Sequence, residues 1–255
     1  MKIIDVNAAV GLSLKYARYQ TADGLLAFMN DYRIDEAFVW SADSLRSPIE
    51  GNGQMLRDAK ASGGRLHFVA YLDPSVPGMG LPKGKTLADR LIAAEPAAVR
   101  IDPTDGKYPF SEFYLQELLP TLEELRLPLI VDGGYDKLFW SNLPDVAIAY
   151  PELPILLLRV GLNTSRVTMP LLKYTGNVYF DMSIMLDVGQ IEEIASLGKA
   201  DRLLFASGLP TYEPSGSLAI LHYAELSAEA KEAIAHGNAE RLLAGRAFAQ
   251  GRERK

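Results

Sequence analysis

The sequence contains no cysteine and only three histidines in 255 residues. The lack of cysteine excludes disulfides, thiolate-ligated zinc and a cysteine nucleophile. No apolar run approaches the length of a membrane-spanning helix, so we expect no membrane partner. Basic charge is not in excess either, because the net charge is −6. Nucleic-acid-binding proteins carry basic faces, and we therefore expect no nucleic-acid partner.

The amino terminus also lacks the pattern of a signal peptide, because Asp5 interrupts its first apolar run. We expect a soluble, cytoplasmic protein. Hydrophobic residues make up 48% of the chain and charged residues 23%, which is typical of a soluble globular protein. No change in composition or long linker divides the chain, and the sequence predicts a single domain over residues 1–255.

Apolar, β-branched runs alternate with helical patterns along the whole chain. Eight such runs are expected to be strands: Lys2–Asn7, Ile34–Ser41, Arg65–Asp73, Ala97–Asp102, Pro128–Asp132, Pro154–Arg159, Val178–Asp181 and Arg202–Ala206. Eight strands alternating with helices predict an α/β fold, a (β/α)₈ TIM barrel with a parallel eight-stranded sheet and extra C-terminal helices. The rival, an open doubly wound sheet, usually has a glycine-rich first turn, which is missing here.

Local patterns predict details of the connections. Thr86 and Asp89 have the spacing of a capping box at the start of a helix. An apolar face that includes Phe113 predicts a helix over Ser111–Arg126, with a kink at Pro120. The longest irregular segments, among them Ala8–Thr21, follow strands, so they are expected at the C-terminal mouth of the barrel, where TIM barrels hold their sites.

The first strand and its exit read KIIDVNAAVG, from Lys2 to Gly11. This stretch resembles the first strand of the amidohydrolase superfamily, in the branch of amidohydrolase-related TIM-barrel hydrolases and decarboxylases. The pattern there is Ile-Asp-x-His-x-His-x-Gly, which Ile4, Asp5 and Gly11 match. Further segments resemble the family in the right order: Val99–Pro103, Leu127–Gly134, Pro154–Arg159, Asn177–Ser183, Arg202–Pro210 and Glu232–Leu243.

The resemblance implies a catalytic divalent metal held by four histidines and an aspartate. This chain departs from that pattern, since the five positions read Asn7, Ala9, Asp132, Arg159 and Gly208. Only Asp132 is a good ligand, and an arginine places a permanent positive charge beside any cation. We therefore expect no metal and no other cofactor. The less favoured alternative is Mg²⁺ bound by the oxygens of Asp5, Asp132 and Asp181.

The three histidines do not restore a ligand set, because His67 lies within a predicted strand and His222 and His236 lie on outer helices. The same placement argues against a serine triad. At the mouth, Asp132 or Asp181 is the candidate general base, and Arg159 the candidate stabiliser of an oxyanion. The candidate ligand-binding residues at the same opening are Asn7, Trp40, Tyr71, Arg100, Asp102, Ser183 and Ser207.

Two guanidiniums beside aromatic rings would suit a small ligand that bears a carboxylate. The alternative is that both arginines are held in ion pairs with the neighbouring aspartates, and that these carboxylates cap loops. Three further aromatic residues in nearby loops either line the pocket or pack the helices: Tyr135, Trp140 and Tyr212.

Two classes of function stay open. One is a metal-independent hydrolase or lyase acting on a small anionic organic substrate; the other is a catalytically inactive pseudoenzyme with a binding or regulatory role. The pairing of Asp132 separates them, because a carboxylate neutralised by Arg159 is a poor base. Adjacent parallel strands lie about 4.8 Å apart, so we expect Arg159 to take the position of the metal and to bind Asp132. A homo-oligomer is compatible with the sequence.

Overall fold

The computed structural model describes residues 1–13, 18–81, 84–132, 137–160, 165–185 and 189–250. Tyr135, one of the three loop aromatic residues singled out above, lies outside these ranges. So do the glycines at positions 133 and 134 and the basic residues after position 250. No helix in the described ranges is long and apolar enough to cross a membrane.

The strands form one sheet in the order β2-β1-β3-β4-β5-β6-β7-β8-β9. All neighbours pair in parallel except β1 and β2, which are antiparallel. The strands are β1 (Ile4–Ser13), β2 (Arg18–Gln20), β3 (Glu36–Ser41), β4 (Leu66–Tyr71), β5 (Ala98–Ile101), β6 (Leu129–Asp132), β7 (Ile155–Leu158), β8 (Val178–Asp181) and β9 (Leu203–Leu204). The eight predicted strands are thus all present, and the prediction of an α/β barrel is confirmed.

The prediction that Ala8–Thr21 is irregular is wrong. Strand β1 continues to Ser13 and pairs with β2 in the register Gly11 with Gln20 and Leu12 with Tyr19. The extension is stable because β2 takes up backbone hydrogen bonds that the exit of β1 would otherwise lose. This hairpin lies beside the mouth of the barrel and forms part of its wall.

The barrel closes between its first and last strands. The Val6 N–H donates to the Phe205 carbonyl over 3.0 Å, and the Ala9 N–H donates to the Leu209 carbonyl over 2.9 Å. Beside this seam, the Ser207 N–H donates to the carboxylate of Asp5 over 3.0 Å. These bonds exclude the open sheet, in which the first and last strands would be far apart.

Helices follow most strands and cover the outside of the barrel. They are α1 (Ala22–Asp31), α2 (Pro48–Ala61), α3 (Leu87–Ala94), α4 (Pro103–Gly106), α5 (Leu118–Glu124), α6 (Lys137–Ala149), α7 (Ser165–Tyr174), α8 (Gln190–Ser196), α9 (Ser215–Tyr223), α10 (Ala228–Glu232), α11 (Asn238–Gly245) and α12 (Ala247–Gln250). Short 3₁₀ turns occupy Ala42–Leu45, Pro77–Gly80 and Ala200–Arg202, and Ala233–Gly237 is a π-helical turn.

Two predictions about helices have opposite outcomes. The capping box of Thr86 and Asp89 is present, with both reciprocal hydrogen bonds at 3.1 Å. The helix predicted over Ser111–Arg126 is wrong, because regular helix begins only at Leu118. Pro120 lacks an N–H donor and is tolerated only in the first turn, so the helix starts immediately before it instead of kinking there. Phe113 is left 72% exposed.

The core has two layers, as expected for a barrel with side chains alternating between its two faces. The inner layer fills the barrel and includes Ile4, Phe38, Val69, Ile130 and Leu156. The outer, larger layer packs the strands against the helices. Because the interior is filled, the site can lie only above the inner layer, at the carboxyl ends of the strands.

Candidate functional site

A cavity of about 310 Å³ opens at the carboxyl ends of the strands. Residues from β1, β3, β5, β6 and the segments after β7 and β9 line it. Its charged residues are Arg100, Asp102, Asp105, Asp132 and Arg159, and its other lining residues are Asn7, Ala9, Val10, Gly11, Leu12, Trp40, Ala42, Leu45, Gly208, Leu209, Pro210, Thr211 and Tyr212. The hairpin and the segment after β9 thus form an apolar side opposite a charged side.

The five positions compared with the family pattern all line this cavity: Asn7, Ala9, Asp132, Arg159 and Gly208. Six of the ten predicted site residues also line it: Asn7, Trp40, Arg100, Asp102, Asp132 and Arg159. The other four, Tyr71, Asp181, Ser183 and Ser207, are buried next to the cavity and not in its lining, with exposures of 6%, 0%, 7% and 0%.

The Arg159 guanidinium forms an ion pair with the carboxylate of Asp132, as expected. The side chain of Asp132 is only 6% exposed, whereas that of Arg159 is 31% exposed. Arg159 has a left-handed backbone with φ of 56°, and its N–H donates to Asp181 over 3.0 Å. Asp132 and Tyr212 raise the pKa of Arg159 against the opposing effect of burial, so the guanidinium is always charged.

Arg100 lies on the same side of the cavity. Its guanidinium is 3.3 Å from the carboxylate of Asp102 and 3.7 Å from that of Asp132. Its Cζ also lies 4.1 Å from the centre of the Trp40 ring, a cation–π contact. Both arginines therefore contact neighbouring aspartates, as that alternative expects, and both also line the cavity. The Arg100 Nε, however, is buried and has no hydrogen-bond partner among the described residues.

Two carboxyl groups are fully buried beside the cavity. Asp5 accepts bonds from the N–H of Asn7 at 2.9 Å and of Ser207 at 3.0 Å, and from the Ser207 hydroxyl. Burial raises its pKa, and these bonds oppose the rise. Asp181 accepts from the Asn7 side chain at 2.9 Å and from the Ser183 hydroxyl at 3.0 Å. Burial raises its pKa to about 7.

Asn7 joins both buried acids to the cavity, because its backbone contacts Asp5, its side chain contacts Asp181 and it lines the opening. Asp181 supports the site from behind, since it binds both Asn7 and the backbone of Arg159. Asp102, by contrast, faces the cavity. Burial raises its pKa, Asp132 adds to the rise and Arg100 opposes it.

Of the loop aromatic residues, Tyr212 lines the cavity, whereas Trp140 packs edge-on against Phe139, their ring centroids 5.3 Å apart. The sequence did not indicate what Tyr212 contacts. Its side chain lies close enough to Arg159 to raise the pKa of that guanidinium, and its ring lies directly on Gly208. A Cβ on Gly208 would be 2.6 Å from the Tyr212 Cδ2. The glycine itself, at a φ of +73°, is the signal in the sequence that could have indicated this close approach.

The histidines lie away from the cavity. His67 contacts Glu36 at 2.6 Å and His236 contacts Glu240 at 3.0 Å, both in a charged cluster around Lys2. His222 stacks edge-on against its neighbour Tyr223. Among the residues that the structure describes, no three histidine, aspartate or glutamate side chains are grouped so that they could hold a metal ion.

The model of the family described as "Amidohydrolase" matches residues 11–245. No curated protein matches the chain. Solved structures share the fold at low sequence identity. An uncharacterised TIM-barrel protein from Bordetella bronchiseptica superposes with a TM-score of 0.76 at 17% identity, over 96% of this chain and 99% of that one.

Two named enzymes also superpose along most of the chain. One is 4-oxalomesaconate hydratase from Rhodopseudomonas palustris, with a TM-score of 0.72 at 16% identity, over 98% of both chains. The other is a probable 2-pyrone-4,6-dicarboxylic acid hydrolase from Acinetobacter baumannii with citric acid bound. Its TM-score is 0.71 at 14% identity, over 95% of this chain and 99% of that one.

Proposed function

The chain belongs to the amidohydrolase family, and on that basis we propose that its mouth cavity binds a small organic molecule that bears a carboxylate. Arg159 and Arg100 hold the carboxylate, and no metal ion takes part. The observation that carries the proposal is the pair of guanidiniums that line one cavity. Hydrogen bonds between a guanidinium and a carboxylate are charge-assisted and therefore stronger than those between neutral groups.

The charges of the cavity limit where a ligand carboxylate can bind. Three aspartates and two arginines line it, so an added anion is repelled unless it contacts a guanidinium directly. Arg159 suits this role because 31% of its side chain is exposed while its position is fixed by Asp132. A guanidinium carries donors on more than one edge, so it can bind Asp132 and a second carboxylate together.

The residues of the cavity do not fit a divalent cation. Of the five positions where the family has ligands, Asp132 alone is a strong ligand, and the Arg159 guanidinium already contacts it. The magnesium alternative is disfavoured as well, because the oxygens of Asp5 and Asp181 already accept bonds from hydroxyl, amide and backbone donors. The positive charge of Arg159 compensates the carboxylate that a cation would otherwise neutralise.

Turnover by Asp132 is disfavoured, because its carboxylate is already engaged by the Arg159 guanidinium. Asp181 is 0% exposed and supports the site from behind. If the protein is a metal-independent hydrolase or lyase, Asp102 is the group that moves the proton, since it lines the cavity and its pKa is raised. The second candidate, a pseudoenzyme that binds without turnover, is favoured by the same pairing of Asp132.

Two of the structures that share the fold have names consistent with the proposed class of ligand. One is named for a dicarboxylic acid and carries citric acid, and the other is named for oxalomesaconate. Both names refer to carboxylic acids of a size that a cavity of about 310 Å³ can hold.

Isothermal titration calorimetry with matched acids and amides tests the proposal. After chelator treatment, the protein is titrated with benzoate, benzamide, citrate and butanoate. We expect at least one carboxylate to bind, benzamide to bind at least tenfold more weakly than benzoate, and Arg159→Gln to abolish the difference. Arg126→Gln is the matched control, because Arg126 pairs with Glu152 on the surface. Absence of carboxylate binding, or equal binding of acid and amide, would refute the proposal.

A further inference from the structure

A second cavity of about 170 Å³ adjoins the mouth cavity. The two share one stretch of wall, the four residues from Leu209 to Tyr212. Beyond that wall the second cavity is lined mainly by Phe28, Tyr32 and Pro214, with Glu213 as its charged residue. A ligand bound to Arg159 therefore has a second, partly apolar space next to it, on the other side of the shared wall.

Tyr212 has the largest side chain of the four residues in this shared wall. Thr211 and Tyr212 both donate their N–H to the Gly208 carbonyl, over 2.9 and 3.0 Å, so the segment forms a tight turn. The turn lays the Tyr212 ring on Gly208. Arg159 lies close enough to the same side chain for Tyr212 to raise the pKa of its guanidinium. The turn and the contact with Gly208 thus fix where the Tyr212 ring lies.

We propose that Tyr212 determines the specificity of the mouth cavity by limiting the length of ligand that it accepts. This inference rests on the proposed carboxylate site. It adds that the natural protein binds short, compact carboxylates. Without the Tyr212 ring the two cavities join, and an apolar tail can extend from Arg159 towards Phe28. A merely structural role for the ring would change stability but not the dependence of binding on ligand length.

The test uses two series of probes of equal length, titrated calorimetrically. The first is butanoate, hexanoate and octanoate; the second is the corresponding primary alcohols, which need no guanidinium. In the natural protein, affinity is expected not to rise along either series. In Tyr212→Ala, each methylene that enters the apolar space adds affinity, so the octyl members should bind at least about tenfold more tightly than the butyl members.

Three further variants distinguish the contribution of the Tyr212 ring from those of its hydroxyl and of its contact with Gly208. Tyr212→Phe keeps the aromatic ring in the wall. Its length profile, meaning the dependence of affinity on ligand length, should therefore remain that of the natural protein. Gly208→Ala keeps the tyrosine but places a Cβ 2.6 Å from its ring, which forces the ring aside and should shift the profile towards that of Tyr212→Ala. Gly198→Ala is the control for backbone strain, because Gly198 has a φ of +71° with nothing within 4 Å.

The outcomes distinguish this inference from the proposed function. If the natural protein binds no carboxylate while Tyr212→Ala gains affinity for long alcohols, the proposed function fails and the role of Tyr212 stands. If carboxylates bind but Tyr212→Ala and Gly208→Ala keep the natural length profile in both series, the inference is overturned and the proposed function stands. An unchanged alcohol series in a protein that binds no carboxylate overturns both.

Discussion

Asp132 and Arg159 meet across two neighbouring strands, because the register of β6 and β7 pairs Asp132 with Leu158, the residue immediately before Arg159. The left-handed backbone of Arg159, with φ of 56°, turns the chain out of the strand at this point. A non-glycine residue in this conformation is strained, and the bond from its N–H to Asp181 stabilises it. The ion pair thus depends on backbone geometry as well as on charge.

We expect Arg159→Ala to destabilise the fold more than the double variant Arg159→Ala with Asp132→Ala, since the single change leaves a carboxylate uncompensated. The coupling should lie between the about 1 kcal/mol of an exposed pair and the about 3–5 kcal/mol of a fully buried one. Arg100, 3.7 Å from Asp132, reduces the effect but does not remove it. Urea unfolding of the four proteins in the cycle measures it.

The exposed pair of Arg126 and Glu152, 3.0 Å apart with side chains 53% and 62% exposed, serves as the control cycle. Its coupling should be under about 1 kcal/mol. If the double variant at Arg159 and Asp132 is no more stable than the single one, the pair does not hold the mouth together.

The purified protein is expected to carry zinc at well below one equivalent, and a chelator should leave its melting temperature unchanged. The reason is that Asp132, the strong ligand of the five positions, is bound to Arg159. Elemental analysis and thermal melting with and without chelator measure both quantities. Stoichiometric metal whose removal lowers the melting temperature is the result that contradicts this prediction.

Asp181 should make the protein less stable as the pH rises. Its pKa is raised from 3.8 to about 7 in the folded state, so the folded protein keeps a proton that the unfolded chain loses near pH 4. The contribution of Asp181 to stability is therefore largest below pH 4, falls through the interval up to about pH 7 and is absent above it. Asp181→Asn should reduce this fall by on the order of 3 kcal/mol.

Free energies of unfolding in urea at pH 5 and pH 8 measure the effect. Asp201→Asn is the matched control, because the Asp201 side chain is 54% exposed and its replacement should leave the fall as it is. Asp181→Asn keeps an oxygen that can accept a hydrogen bond from the Arg159 N–H. The difference between this variant and the natural protein therefore reports the effect of the ionisable carboxyl group and not the loss of that hydrogen bond. The same pH dependence in Asp181→Asn and the natural protein would exclude this account.

Asn52 should be among the most sensitive positions away from the cavity. It is 2% exposed on α2 and bonds three backbone groups: the Tyr71 N–H at 2.9 Å, the Tyr71 carbonyl at 2.7 Å and the Gly80 carbonyl at 3.1 Å. Asn52→Ala leaves these groups unsatisfied and should lower the free energy of unfolding by about 3 kcal/mol. Gln54→Ala, at an exposed position of the same helix where the side chain bonds Asp58, should change it by under about 0.5 kcal/mol.

The strands were predictable because buried parallel strands are short apolar runs, and a run such as Pro154–Arg159 has few other interpretations. The pairing of Asp132 with Arg159 also followed from the sequence, since both leave adjacent strands at the same end. The start of α5 was misjudged because the apolar period continues through residues that the missing donor of Pro120 keeps out of the helix. The missing backbone donor, and not the apolar periodicity, determines where this helix begins.

The sequence did not predict how deeply each site residue is buried relative to the cavity. Asp102, Asp132 and Asp181 all lie at or just after the carboxyl ends of strands, yet Asp181 is fully buried and the other two line the cavity. Their depth depends on how far each strand is staggered along the barrel axis, which a pattern of alternation does not encode. The contact of Tyr212 with Gly208 likewise arises from a turn formed by backbone bonds and not by any periodic pattern.

The bond between Asp5 and Ser207 joins residues 202 positions apart in the chain. Contacts of such separation form late in folding, because most of the chain must be ordered before they are within reach. A chain still being synthesised and lacking the residues after β8 would therefore present two open strand edges, one along β8 and one at Val6 and Ala9 of β1. Open edges recruit other chains, so during synthesis the protein is most exposed to aggregation just before β9 emerges.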